Sequence, residues 1–303
     1  MNVLKPGKNV ITIWVEDTGG GGGLNEDPDN FYLQLGNSKT WLKVEARFKI
    51  LIPKENIAPG INYASMQNQP GVLFNAMIAP ILPYNIKGVI WYQGESNVPQ
   101  HKEYRTLFPS LINGWRKRWK QPELPFLFAQ LSSYNPQITE PVLSDWAYLR
   151  EAQSYELQLP QTGMVVTIDV GDRTDLHPKR KKEVGNRLAL NAFKIAYGFK
   201  DVINTGPAYL LSKKEGKSIH LLFRNTGSGL MIKGERLLGF SIAGADKNFV
   251  AADAVIKGEI VIVSNPAVAE PVYVRYAWSN APLEANLFNR EGLPAAPFRT
   301  DKD

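Results

Sequence analysis

Gly88-Val89-Ile90-Trp91-Tyr92-Gln93-Gly94-Glu95-Ser96-Asn97 is an apolar run that breaks abruptly into five small or polar residues. A short run with no polar alternation predicts a strand covered on both faces, as in a parallel sheet packed between helices. Its sharp polar end predicts something further. In an open α/β sheet, ligands bind beyond the carboxyl ends of the strands.

The pattern repeats outward from this strand. Residues 104–116 read as a helix, with Leu107, Leu111 and Trp115 spaced by four. Residues 125–131 read as the next buried strand, and Asp145 is placed to cap a helix running to about Leu157. Residues 164–170 form a third apolar run, followed by a helix over 180–199 with Val184, Leu188, Ala192 and Ile195 on one stripe. Alternating strands and helices argue for an α/β domain with helices on both faces of a parallel sheet.

Both flanks read as β. Near the start, residues 9–15, 31–35 and 41–46 are strand-like, the first two separated by the glycine run 19–23, which is a loop. So few strands predict an incomplete β-domain, cut open at its start. After about Gly206, strand-like runs at 219–223, 229–233, 238–243, 254–263 and 272–278 predict a small antiparallel sandwich. The division expected is therefore 1–55, 56–205 and 206–303.

Composition narrows the function. The 303 residues are 44% hydrophobic and 21% charged, average for a globular protein. No apolar stretch reaches the length of a bilayer span, so no membrane partner is expected. With no cysteine, thiolate metal sites and a cysteine nucleophile are excluded. The net charge of +6 is spread among acidic and apolar residues. Its densest runs, 179–182 and 116–118, read as solvated helix faces, so nucleic acid is not an expected partner.

Of three histidines, His220 falls in a C-terminal strand and His101 at a helix start, where structural or surface roles suffice. His177 alone follows a buried strand, with Asp169, Asp172 and Asp175 around it. A carboxylate beside a histidine fixes its tautomer and supports base catalysis. The competing reading is that Asp175 or Thr174 caps the helix after Pro178.

These segments together resemble the sialate O-acetylesterases, a branch of the SGNH hydrolases. Residues 88–97 resemble that family's third sequence block, with residues 73–80 similar to the segment before it and 126–133 to the strand after it. Asp175-Leu176-His177-Pro178 resembles the block with the catalytic histidine. Residues 17–23 resemble a loop in a β-domain inserted in the family's catalytic domain, and 275–279 with 292–300 are similar to its C-terminus. The resemblance implies a partial flavodoxin-like α/β/α sandwich between a truncated N-terminal β-domain and a C-terminal β-sandwich. It implies removal of O-acetyl groups from sugars through an acetyl-serine intermediate. It needs no metal or cofactor, and implies a periplasmic or secreted full-length protein.

By the same resemblance His177 is the general base and Asp175 its orienting acid. The family more often places that acid three residues before the histidine, where Thr174 stands, so Asp172, Asp169 and Glu95 remain rivals. Gln93, Gly94, Glu95 and Ser96, with Asn75 nearby, are expected to form the oxyanion hole or acetyl pocket. The family's Gly-Gln-Ser-Asn block, which carries the serine, does not occur in the sequence. Ser65-Met66-Gln67-Asn68 is only an echo. Ser96 and Ser241 fail the nucleophile-elbow pattern, which needs a second glycine. The expectation is a truncated chain, inactive or weakly active alone, with the missing N-terminal segment as a partner if the gene is split. The alternative is a non-catalytic carbohydrate-binding protein, with Trp91, Tyr92 and Trp146 stacking on sugar rings.

Overall fold

The computed structural model describes Gly7 and residues 32–35, 37–41, 68–135 and 144–301. The expected strand 9–15, the glycine run, and Ser65 with its neighbours lie outside the described residues. The chain forms two compact units, Met1–Tyr84 and Asn85–Asp303. In the first, β1 (Tyr32–Leu35) and β2 (Ser38–Trp41) make an antiparallel hairpin. Tyr32 lies opposite Trp41, their rings edge to face at 5.3 Å. The second strand starts earlier than its alternation suggested, because Ser38 already pairs with Leu35; residues 42–46 lie outside the described residues. A helical segment through Phe74–Ile78 and Ala79–Ile81 follows.

The second unit opens with the parallel sheet. Strands β3 (Val89–Trp91), β4 (Phe126–Ala129) and β5 (Thr162–Val165) lie in that order, so all three carboxyl ends share one edge. Alternation along β4 divides its side chains between two cores. Phe126 and Phe128 pack with α1 (His101–Trp119) and α2 (Asp145–Tyr155), while Leu127 and Ala129 pack with α3 (Lys181–Asn191). The three layers are those expected, and β4 is buried throughout, but β3 is an edge strand among the described residues and Ile90 is 68% exposed instead of covered on both faces.

Several local expectations shift. The buried stripe of α1 is Tyr104, Phe108 and Ile112, and Leu107 is exposed. The aromatic pair wins the inner face because Phe108 meets Phe126 and Phe128 edge to face at 6.0 and 5.1 Å. The cap of α2 is Ser144, whose hydroxyl accepts from Ala147 N–H at 3.0 Å; Asp145 is the first helical residue. The third strand runs 162–165 instead of 164–170, and Ile168–Val170 is a 3₁₀ turn. Val184 and Leu188 are buried as the stripe requires.

The tail is two four-stranded antiparallel sheets and a two-stranded one. The first contains β6 (Ala208–Glu215), β7 (Ser218–Arg224), β11 (Asp253–Lys257) and β12 (Ile260–Ser264), in the order β11-β12-β7-β6. The second contains β9 (Phe240–Ala243), β10 (Val250–Ala251), β13 (Tyr273–Tyr276) and β15 (Phe298–Arg299). The pair is β8 (Leu230–Ile232) with β14 (Leu287–Asn289). Ile219, Leu221, Phe223, Val261 and Val263 face inward at alternate positions, towards Ile242 and Val274 of the other sheet. The run 254–263 is a hairpin and not one strand: it turns at Gly258, whose φ of +64° suits a residue without Cβ. Among the described residues no helix is long and apolar enough to cross a membrane.

Candidate active site

The loop after β3 carries Tyr92, Gln93 and Gly94 to the shared edge. Gly94 is buried, with φ +156° and ψ −20°, and begins the 3₁₀ turn Glu95–Gln100. A Cβ built on it would lie 3.1 to 3.3 Å from Gln153, Leu131 and Leu149. Only glycine fits both that backbone and that space.

Gln153, on α2, organises this corner. Its Oε1 accepts from Leu131 N–H at 2.8 Å and its Nε2 donates to the Gln93 carbonyl at 3.2 Å. A planar trans peptide points its carbonyl and its N–H in opposite directions. With the Gln93 oxygen turned to Gln153, the Gly94 N–H turns the other way, and it donates to no acceptor among the described residues. The Gln93 side chain is itself held, donating to Asn97 Oδ1 at 2.7 Å and accepting from Tyr104 at 3.3 Å. Burial pushes the Tyr104 hydroxyl up to about 12, so it stays a donor.

The loops after β4 and β5 are laced together. Ser133 Oγ donates to Ile168 O at 2.7 Å, Thr167 Oγ1 to Gln130 O at 2.5 Å, and Asp172 N–H to Ser133 O at 3.1 Å. Gly171 passes so close that a Cβ there would lie 2.3 Å from the Ser133 nitrogen. Below them, Arg150 is fully buried and donates to the carbonyls of Leu131, Ser132, Ser279 and Asn280 at 2.6 to 2.9 Å. Burial lowers its pKa, and four aligned acceptors keep the guanidinium charged. It thereby ties the β4 loop to the C-terminal tail.

The segment with His177 is fastened at both ends to this edge. It leaves Asp172, bound to Ser133, and reaches Lys181, whose ammonium lies 4.5 Å from the Tyr92 ring centre. His177 is exposed, and its ring makes no hydrogen bond among the described residues. Asp175 accepts from the His177 main-chain N–H at 2.8 Å. The rival acids are used otherwise. Asp169 pairs with Arg187 through two bonds of 2.7 Å, and Arg180 donates to its carbonyl. Asp172 accepts from Thr174 N–H, Thr174 Oγ1 and Asp175 N–H, which hold its carboxyl below the usual range.

The remaining candidates divide. Glu95 is half-buried and Ser96 exposed on the turn after Gly94. Trp91 lies among Phe108, Trp115 and Phe126, at 5.9 to 6.2 Å between ring centres, where it serves the α1 core. Tyr92 packs towards α3. Trp146 is buried and donates to Ser132 O at 2.7 Å. Asn75 belongs to the first unit, its N–H bound to Gly71 O at 2.8 Å. His101 stacks on Tyr148 at 5.1 Å and is partly buried, and His220 lies 3.4 Å from Glu215. Arg150 and Gln153 went unnoticed in the sequence. Their signal was two polar residues on the stripe of α2 that also carries Trp146 and Leu149.

Residues 53–194 match a family model described as carbohydrate esterase, sialic acid-specific acetylesterase. A sialate O-acetylesterase from Mus musculus is 32% identical over 263 residues, covering 75% of this chain and 46% of that protein. One from Pongo abelii is 33% identical over 288 residues, covering 83% and 53%. The crystal structure of a carbohydrate acetylesterase from Xanthomonas citri superposes with a TM-score of 0.75 at 46% identity, over 78% of this chain and 56% of that one. The chain thus spans about half the length of the curated relatives it matches. On a shared fold, two matching sequences and a family model over its α/β segment, the chain belongs to the sialate O-acetylesterase family of carbohydrate esterases.

Proposed function

We propose that this chain supplies the base, the acid and the acetyl pocket of an esterase that removes O-acetyl groups from carbohydrates by serine acyl transfer. The nucleophilic serine comes from a part of the family's fold outside these 303 residues. The observation that supports the reading is the Gly94 N–H, which faces away from Gln153 and has no acceptor among the described residues, on the loop whose Tyr92 lies beside Lys181 at the end of the His177 segment. Acyl transfer calls for an oxyanion donor of this kind and a base.

The reaction then runs in two halves. His177 takes the proton of the serine hydroxyl as its oxygen attacks the acetyl carbonyl, and Gly94 N–H holds the resulting oxyanion. Collapse leaves acetyl-serine and passes the proton to the departing sugar oxygen. Water, deprotonated by His177, then releases acetate and restores the serine. Asp175, which accepts from the His177 main-chain N–H, is the acid the family resemblance favours; Asp169 is committed to Arg187 and Asp172 to its own turn, which leaves Glu95 as its rival. Gln93, Glu95 and Ser96 line the acetyl side.

The test is hydrolysis of p-nitrophenyl acetate and of an O-acetylated sugar. The 303-residue chain alone should show little or none. A protein extended to the length of its relatives should be active and lose that activity with His177→Ala; unchanged hydrolysis in that variant overturns the assignment. The exposed, unbonded ring of His177 favours one second reading, a carbohydrate-binding protein without chemistry. Calorimetric binding of acetylated sugars with no turnover in the extended protein would establish it.

A further inference from the structure

A cavity of about 530 Å³ opens between β5 and the C-terminal sheets, and none of the candidate catalytic residues lines it. Its volume falls within the roughly 300–1,000 Å³ of small-molecule sites, which favour such junctions. Most of its wall is apolar, and Tyr155 and Tyr209 line it, each with one ring face already covered, by Arg105 and by Phe298.

Three arginines line it, and they are not equivalent. Arg187 is paired with Asp169, and Arg299 with Glu151 and Asp301. The side chain of Arg224 has no hydrogen-bond or ion-pair partner among the described residues, and it stands at an apolar cavity where an organic anion would gain most from a guanidinium. The second polar feature is main chain. Phe126 N–H bonds Gln161 O and Gln130 N–H bonds Val165 O, so the odd-numbered carbonyls of this strand turn to β4. The Met164 amide groups therefore turn to the outer edge of β5, beyond which no strand pairs among the described residues, and Met164 lines the cavity. An edge strand of this kind is read by another amide.

We propose that this cavity is a second, non-catalytic site for an N-acetylated acidic monosaccharide. The carboxylate sits on Arg224, the acetamido group on the β5 edge at Met164, and the ring against Tyr155 and Tyr209. The choice of a sugar rests on the carbohydrate reading above; the demand for an anion with an amide rests on the cavity alone.

The experiment uses the whole chain with ¹³C-methyl methionine, so that Met164 reports from inside the cavity. The probe is the methyl α-glycoside of N-acetylneuraminic acid, with the methyl glycoside of N-acetylglucosamine as its neutral counterpart. The Met164 methyl should shift saturably with the acidic sugar. Arg224→Ala, an exposed change that leaves the core alone, should weaken that binding about tenfold, and Arg224→Lys should restore part of it. The neutral sugar should bind about tenfold more weakly, and His177→Ala should leave the titration as it is. A silent Met164, equal binding by Arg224→Ala, or equal binding of the neutral sugar overturns the proposal. If Met164 stays silent while the extended protein cleaves acetyl esters through His177, this site falls and the esterase reading stands. If Met164 titrates and no ester is cleaved, the reverse holds.

Discussion

The side-chain amide of Gln153 reaches the main-chain oxygen of Gln93 across 3.2 Å, so a residue of α2 sets the direction of the Gly94 N–H. Gln153 is a positioning residue in this arrangement. Gln153→Leu frees the peptide and also strips Leu131 N–H of its acceptor. In the extended protein kcat should fall about a hundredfold with KM nearly unchanged, the size of losing one oxyanion donor. Urea unfolding should show a separate loss of about 1–3 kcal/mol for the stranded Leu131 N–H. An equal rise in KM would assign the residue to substrate binding instead.

Gly94→Ala tests the same corner sterically. The new methyl meets three side chains within 3.3 Å and its φ of +156° disfavours any Cβ. A loss of about 1–3 kcal/mol is expected by calorimetry, together with loss of esterase activity in the extended protein. A wild-type Tm would mean that the loop relaxes freely.

Arg150 is the bond between the α/β layers and the tail. Arg150→Met removes a donor from four buried carbonyls, of which Ser132 O keeps Trp146 and Asn280 O keeps Tyr134 N–H, and should cost about 3–5 kcal/mol in urea unfolding. Arg150→Lys keeps the charge but lacks the planar fork, so it should recover only part of that loss. A neutral Arg150→Met would show that the tail docks through its apolar core alone.

Glu156 gives the fold a pH dependence. Burial pushes its carboxyl from 4.5 up to about 7. The unfolded chain gives up that proton first, so this contribution to stability is whole below pH 4.5 and is lost as pH rises through 7. Glu156→Gln removes the titration. The variant should match wild type near pH 4 and exceed it by up to about 3 kcal/mol at pH 8. Parallel stability curves for the two proteins would place the carboxylate in contact with water.

The layered α/β core was legible because its cause is local. The unbroken apolar run at 126–129 predicts a strand covered on both faces, and Val184 with Leu188 predicts one of the faces that cover it, whereas the run at 89–91 forms an edge strand that leaves Ile90 exposed. The polar breaks after those runs fall at one shared edge of the sheet, as the strand–helix alternation implies. The inner face of α1 was misjudged at Leu107, because the choice between two stripes depends on which rings the sheet offers, and those rings lie far along the chain.

What the amino-acid order determined by itself was the kind and order of the elements in the α/β segment, since these follow from backbone geometry and side-chain polarity; several ends, such as those of strand 162–165, it did not. What only the tertiary structure decided was the partner of each polar group. Asp169 is spoken for by Arg187, Gln93 by Gln153, and Arg150 by carbonyls from two distant segments. Hydrogen bonds of this kind join residues up to 148 positions apart, and they form only when packing has excluded the water that would otherwise satisfy them.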